Sequence, residues 1–181
     1  AALQELSTEL TQDLLQIEED VFKIAGTEFN IGSPKQLGEV LFDHMKLVDK
    51  PKKTKSGQYA TGENILSALA TEHDNARRIL DFRELLKLKN TYVDALPKLI
   101  SDYDGRIHTS YNQAVTSTGR LSSTNPNLQN IPIRTKKGQL IRKAFVPRNE
   151  DFLLMAADYS QVELRIMASF SKDESMIDAF H

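Results

Sequence analysis

The sequence predicts an α+β protein, mainly helical to about residue 103 and strand-containing beyond it, and three observations carry that reading. Leu3, Leu6, Leu10, Leu14, Ile17, Val21 and Ile24 recur every three or four positions, the period of a helix with one buried stripe. Ile79, Phe82, Leu85, Leu86, Val93 and Leu96 repeat that stripe later in the chain. Past the Asp104-Gly105 turn signal, Arg106 to Ala114 alternates loosely about Ile107 and Tyr111, and Phe152 to Ala157 is an unbroken run of six apolar residues, short enough for a buried strand.

The first helix should stop at Gly26, and it reads as a packing helix or coiled-coil strand with an acidic outer face. Next, Ser33 is an N-cap, Pro34 fits the first helical position and Gln36 completes a capping box, so a helix should run from Pro34 to about Phe42. Its amino end offers free N–H groups and a positive dipole to a phosphate. Lys46 to Lys55 holds five lysines and one acid, the composition of a solvated, mobile loop. Thr61 is placed to cap a short helix burying Ile65, Leu66 and Leu69. A longer helix follows from about Asp74 until Pro97 ends or kinks it. Arg83 and Lys87, four apart, share one face of that helix, which is either merely solvated or turned to a ligand.

Residues 116–134 are rich in Ser, Thr, Asn, Gly and Pro and read as loop. The Arg, Asn and Gln side chains within it can reach the acceptors on minor-groove base edges, which look nearly alike for every base pair, and Pro126 and Pro132 stiffen the backbone between them. Gln139 to Pro147 then reads as a strand. The Phe152–Ala157 run leads into Asp158, and Val162, Ile166 and Phe170 at four-residue spacing predict a helix with a buried stripe. An acid at a strand's carboxyl end suits magnesium. It also suits a capping box, Asp158 with Gln161 or Ser160 with Glu163, and spacing leaves both readings open.

Composition narrows the classes. With 40% hydrophobic residues in 181, the chain makes one large domain or two small ones and can bury roughly 70% of its extended surface. No apolar run approaches the length of about 18 residues that a membrane span needs, and no basic-then-apolar leader is visible. Zero cysteines exclude disulfides and thiolate metal sites and fit a cytoplasmic location. A net charge of −2 alone argues against nucleic acid. Its distribution argues the other way: residues 1–28 carry seven acids and one lysine, whereas 120–148 carry seven Lys or Arg and no acid, a basic face to which phosphates respond.

Asp158-Tyr-Ser-Gln-Val-Glu-Leu-Arg165 closely resembles the first catalytic motif of the family A DNA polymerases, the bacterial DNA polymerase I family. TSTGRLSSTNPNLQNIPIR, residues 116–134, resembles the same family's template-primer binding motif, in the matching order and separation. The resemblance implies a helical thumb over residues 1–103, with a flexible basic tip at 46–60, and a partial antiparallel-sheet palm over 104–181, the fingers being absent. It implies a parent enzyme that adds deoxynucleotides to a primer 3′ end, with two magnesium ions roughly 4 Å apart easing charge on the attacking and leaving oxygens.

Site roles follow from the same resemblance. Asp158 would ligate both metals and the Tyr159 carbonyl would contribute to one. Tyr159, Ser160, Gln161, Glu163 and Arg134 would bind the nucleotide, with Glu163 filling the space a ribose 2′-hydroxyl needs. Asn30, Ser33, Arg83, Lys87, Arg120, Asn127, Gln129 and Asn130 would hold the primer-template DNA. Arg165 reads as structural, paired with a nearby carboxylate. The second catalytic carboxylate, the fingers helix and the upstream nuclease segments of the family do not occur in the sequence, so the piece alone is expected to bind DNA at most and not to polymerise. A truncated palm sheet is expected to leave open strand edges and to favour a non-native dimer. A non-catalytic DNA-binding module of polymerase-like architecture is the alternative reading.

Overall fold

A computed structural model describes residues 2–180. Helix α1, Ala2–Ala25, ends where the stripe predicts: Gly26 takes φ +69° and donates its N–H to Phe22 O, a left-handed stop that costs a glycine little. His44 Nε2 lies 3.0 Å from the Ala25 carbonyl at that same end. At 24 residues, or about 36 Å at 1.5 Å per residue, α1 is long enough to serve two cores. Leu6 and Leu10 join Leu88, Tyr92, Val93, Leu96 and Ile141; Leu14 and Val21 join Ile31, Leu37, Leu41, Phe42, Leu66, Ile79 and Phe82.

Helix α2, Pro34–Gly38, starts as its cap predicts, with Ser33 Oγ accepting from Gln36 N. The return half of the box goes elsewhere: Gln36 Oε1 accepts from Asn30 N at 2.7 Å. The backbone then widens into π-helical turns over Glu39–His44. Helix α3, Glu63–Leu69, is preceded by Gly62 and not capped by Thr61. The Thr61 hydroxyl is buried against Arg83 instead, which corrects the expected cap. Helix α4, Asp74–Leu88, continues as a π-helical stretch Lys89–Val93, and Pro97 stands in a 3-10 turn, Leu96–Leu99, just beyond it.

The acidic face of α1 is engaged as well as solvated. Arg78 of α4 reaches Asp20 at 2.7 Å and its own helix's Asp74 at 2.8 Å. Lys137 pairs with Glu9 and, at 2.9 Å, with Asp13. Lys89, Asp94 and Ser7 close a triangle at the other end of α1, with Ser7 Oγ 2.6 Å from Asp94 Oδ1.

Strand content is smaller than the sequence predicts. Within Arg106–Ala114 only β1, Ser110–Asn112, is a strand; it pairs antiparallel with β2, Ser122–Thr124, Tyr111 facing Ser123. The predicted strand at Gln139–Pro147 is overturned: α5, Lys136–Arg142, occupies its first half, because Thr135 caps it through the Gly138 N–H and buries Ile141. Ile141 and Phe145, four apart, both join the second core, so the run has helical and not alternating period.

The chain divides into two compact units between Phe145 and Val146. In the second unit, Phe152–Ala157 has no regular secondary structure and is neither paired nor buried, with Leu153 92% and Met155 90% exposed. A strand exists only through its ladder partner, and among the described residues of this unit none is supplied. Helix α6, Val162–Ser171, and helix α7, Glu174–Asp178, complete it. The predicted stripe of α6 is also corrected: Val162, Ile166 and Phe170 are exposed, and Ala168 is the buried position.

Candidate functional site

Among the described residues of the first unit, open grooves flank α4. One, about 870 Å³, lies between the 52–62 loop and the helix, and Lys52, Lys53, Tyr59, Arg83 and Lys87 line it. Arg83 is fixed by the chain it faces, donating to the Thr61 carbonyl through Nη1 and toward Thr61 Oγ1 through Nη2. Burial pushes its guanidinium below the usual arginine value, because a charge drawn from water loses solvation. Lys87, one turn on, lines this groove and the next. Asn30 and Ser33 serve the turn that starts α2: Asn30 Oδ1 accepts from Gly32 N at 2.9 Å and Ser33 Oγ from Gln36 N.

The lysine-rich loop is closed on itself. Lys53 and Tyr59 form an antiparallel bridge, Thr54 N donates to Gln58 O at 2.7 Å, and Ala60 N donates to Lys52 O at 2.9 Å. Tyr59 then docks the loop. Its ring meets Phe42 at 5.2 Å between centroids and its hydroxyl donates to Asp43 Oδ1. That carboxylate, with some burial, raises the phenol above its ordinary pKa.

The second groove, about 860 Å³, runs between the end of α4 and residues 126–135, and Lys87, Tyr92, Asn127, Gln129, Asn130 and Arg134 line it. All of these but Tyr92 are sequence-predicted residues brought together, and the loop that carries most of them is built from its own polar groups. Asn127 Oδ1 accepts from Ser123 Oγ and from Gln129 N, each at 3.0 Å. Gln129 Nε2 donates to Leu121 O at 3.1 Å, and the Asn130 carbonyl accepts from Tyr92. Arg120 is exposed on the same loop, its carbonyl accepting from Thr116 Oγ1. Sequence reasoning missed Tyr92 and Ser123, since a tyrosine on a helical extension and a serine in a serine-rich loop give no sign of the partner each has.

In the second unit Asp158, Tyr159, Ser160 and Gln161 form an exposed stretch before α6, with a turn at Ser160 and Gln161. Neither predicted capping box forms: Gln161 is the N-cap, at φ 52°, with no side-chain cap bond. Arg165 braces the turn, donating from Nε to Ser160 O at 2.9 Å and lying 4.7 Å from the Phe180 ring centroid. It therefore pairs with a carbonyl and a ring where a carboxylate was expected. Glu163 stands in the first turn of α6. Among the described residues no three His, Cys, Asp or Glu side chains converge as a metal cage. Asp158 and the Tyr159 carbonyl are hard oxygen donors of the kind magnesium takes, but by themselves they do not complete a site. No described helix is long and apolar enough to cross a membrane.

A profile of DNA polymerase family A matches residues 1–181. DNA polymerase I of Geobacillus stearothermophilus is 50% identical over 178 residues, 98% of this chain and 20% of that protein. The thermostable DNA polymerase I of Thermus thermophilus is 51% identical over 180 residues, 99% of this chain and 22% of that protein. The chain thus spans about a fifth of the length of these curated relatives. Among solved structures, the POL domain of Pol1 from M. smegmatis, in complex with DNA primer-template and dNTP, superposes with TM-score 0.86 at 45% identity, covering 99% of this chain and 31% of that one.

Proposed function

We infer the function of this chain from its family: it belongs to DNA polymerase family A. The whole protein is a DNA-directed DNA polymerase that adds deoxynucleotides to a primer 3′ end, and these residues form part of its duplex grip and of its catalytic turn. Residues 1–103 act as the thumb and 104–181 as the first portion of the palm. That functional boundary differs from the packing boundary at Phe145, because the loop at 126–135 packs on the base of the helices it works beside.

The observation that carries this reading is the lining of the second groove. Asn127, Gln129, Asn130, Arg134 and Lys87 share one open channel, amide groups suited to minor-groove acceptors beside cations suited to phosphates. Arg83 and Lys87 extend the cationic track along α4, with Asn30 and Ser33 at the start of α2 and Arg120 on the loop as further DNA contacts. Such contacts hold any sequence, as a replicative grip must.

Magnesium, when bound, lowers the charge that builds on the attacking and leaving oxygens. Asp158 offers it one carboxylate and Tyr159 a carbonyl; the remaining carboxylate comes from outside these residues. Tyr159, Ser160, Gln161 and Arg134 contact the incoming nucleotide, and Glu163 denies room to a ribose 2′-hydroxyl. With one carboxylate in place, the 181 residues alone bind primer-template DNA at most. Primer extension tests the reading: the full-length protein extends a primer and its Asp158→Asn variant does so far more slowly. Extension by Asp158→Asn at the parental rate would refute it.

A further inference from the structure

We propose that Tyr59 is a positioning residue, docked on Gly38, that holds the Lys53 ammonium over the first groove as a phosphate contact of the duplex grip. The inference rests on the reading above, and it adds a residue pair to that reading from contacts that no motif announces.

The geometry is specific. A Cβ built on Gly38 would lie 2.7 Å from Tyr59 Cβ and 3.3 Å from its Cδ2, closer than side chains approach, so the dock exists only because position 38 is glycine. The ring on that dock lies against Phe42 and is tethered to Asp43, and both of those residues belong to the π-helical turns that follow Gly38. Lys53 Nζ sits 5.0 Å from the centroid of the same ring, within cation–π range, and its backbone bridges that of Tyr59. Lys53 is therefore held twice, through its backbone and through its ammonium. It lines the groove that Arg83 and Lys87 also line.

A held lysine differs from a tethered one. An exposed lysine gives up rotamer freedom when it settles on a phosphate, a loss that is among the largest for any side chain. Where a ring already restricts the ammonium, part of that loss has occurred on folding, and the contact forms with less further ordering. Gly38 and Tyr59 thus bear on DNA affinity although neither carries charge.

The readout is the salt dependence of primer-template binding by the full-length protein, since each neutralised phosphate contributes about 0.9 to the slope of log affinity against log salt. Lys53→Gln should lower that slope by about 0.9. Gly38→Ala, which displaces Tyr59 without changing any charge, should lower the affinity at fixed salt in the same titrations. The double variant should fall no further than Lys53→Gln alone, a non-additivity that general loss of structure would not give. Tyr59→Leu serves as a second displacement should Gly38→Ala fold poorly, and Lys23→Gln, a change of equal charge on α1, should leave the slope unchanged. A slope in Lys53→Gln equal to the parent's overturns the inference and leaves the polymerase reading standing. Additive losses in the double variant also overturn it, because Tyr59 would then act apart from Lys53. Absence of any salt-dependent DNA binding by the parent overturns the underlying reading itself.

Discussion

Tyr92 donates its hydroxyl to the carbonyl oxygen of Asn130, 2.5 Å away across 38 residues of chain. One end of that bond is a buried tyrosine on the π-helical extension of α4, and the other is the loop that lines the second groove. The loop's amide side chains are thereby held in register with the helix that presents Lys87.

Removing the hydroxyl should loosen the loop and spare the core. Tyr92→Phe keeps the ring among Leu88, Val93 and Leu96 but leaves the Asn130 carbonyl without this donor, a loss of about 1 kcal/mol of stability. Primer-template affinity should fall several-fold as Asn127 and Gln129 lose their register. Urea denaturation and equilibrium DNA titration on the same preparation separate the two effects. Lost stability with unchanged affinity would show that the bond is structural only.

The two faces of α1 should respond very differently to truncation. Leu10 is 0% exposed and Leu15 is 56% exposed. Leu10→Ala should cost about 2–5 kcal/mol through lost transfer energy and the cavity left behind, while Leu15→Ala should stay within about 0.5 kcal/mol. Denaturant midpoints with unchanged m-values are the measurement.

That contrast also shows which parts of the fold the sequence makes legible. Where a stripe is buried by helices within the chain, as for α1 and α4, spacing alone locates it, and glycine or proline locates its end. The runs at 139–147 and 152–157 failed for a different reason. A short apolar run does not distinguish helix from strand: Thr135 and Ile141 turned the first into helix, and the second finds no ladder partner among the described residues of its unit. Within the site, the Arg83–Lys87 spacing is visible in the sequence. The Thr61 carbonyl that fixes Arg83 lies 22 residues away, as invisible as the Gly38 dock for Tyr59. The amide-rich loop reads as loop by composition, and only its resemblance to a known motif marks it as a grip.

Acid should weaken the triangle at the amino end of α1. The Lys89 ammonium, and then the Ser7 hydroxyl, hold the Asp94 carboxyl below its ordinary value. A carboxylate whose pKa is depressed on folding contributes stability that is complete above its unfolded pKa, roughly 4, and that is lost as the pH falls through the lowered folded value. Asp94→Asn should therefore be less stable than the parent at neutral pH, with the difference shrinking below about pH 4. Denaturation midpoints across that range check it; a gap that stayed constant with pH would place the effect in packing and not in charge.

The last prediction separates two acids of one motif. Asp158 lies in the exposed stretch before α6 and Glu163 five residues on, in that helix's first turn, and the proposed roles give them different kinetic signatures. Asp158→Asn removes a metal ligand needed only as charge develops, so kcat should fall on the order of 10³-fold, the equivalent of several kcal/mol, with primer-template affinity little changed. Glu163→Ala opens space beside the sugar. Its effect should appear in the ratio of deoxynucleotide to ribonucleotide kcat/KM, which should drop by about 10- to 100-fold, the range that accommodation of one hydroxyl spans. Steady-state incorporation of a matched deoxynucleotide and ribonucleotide pair by the full-length protein reads both at once. If Glu163→Ala lowered the two rates equally, the residue would be supporting the turn and not excluding the hydroxyl, and the origin of sugar selectivity would have to be sought outside α6.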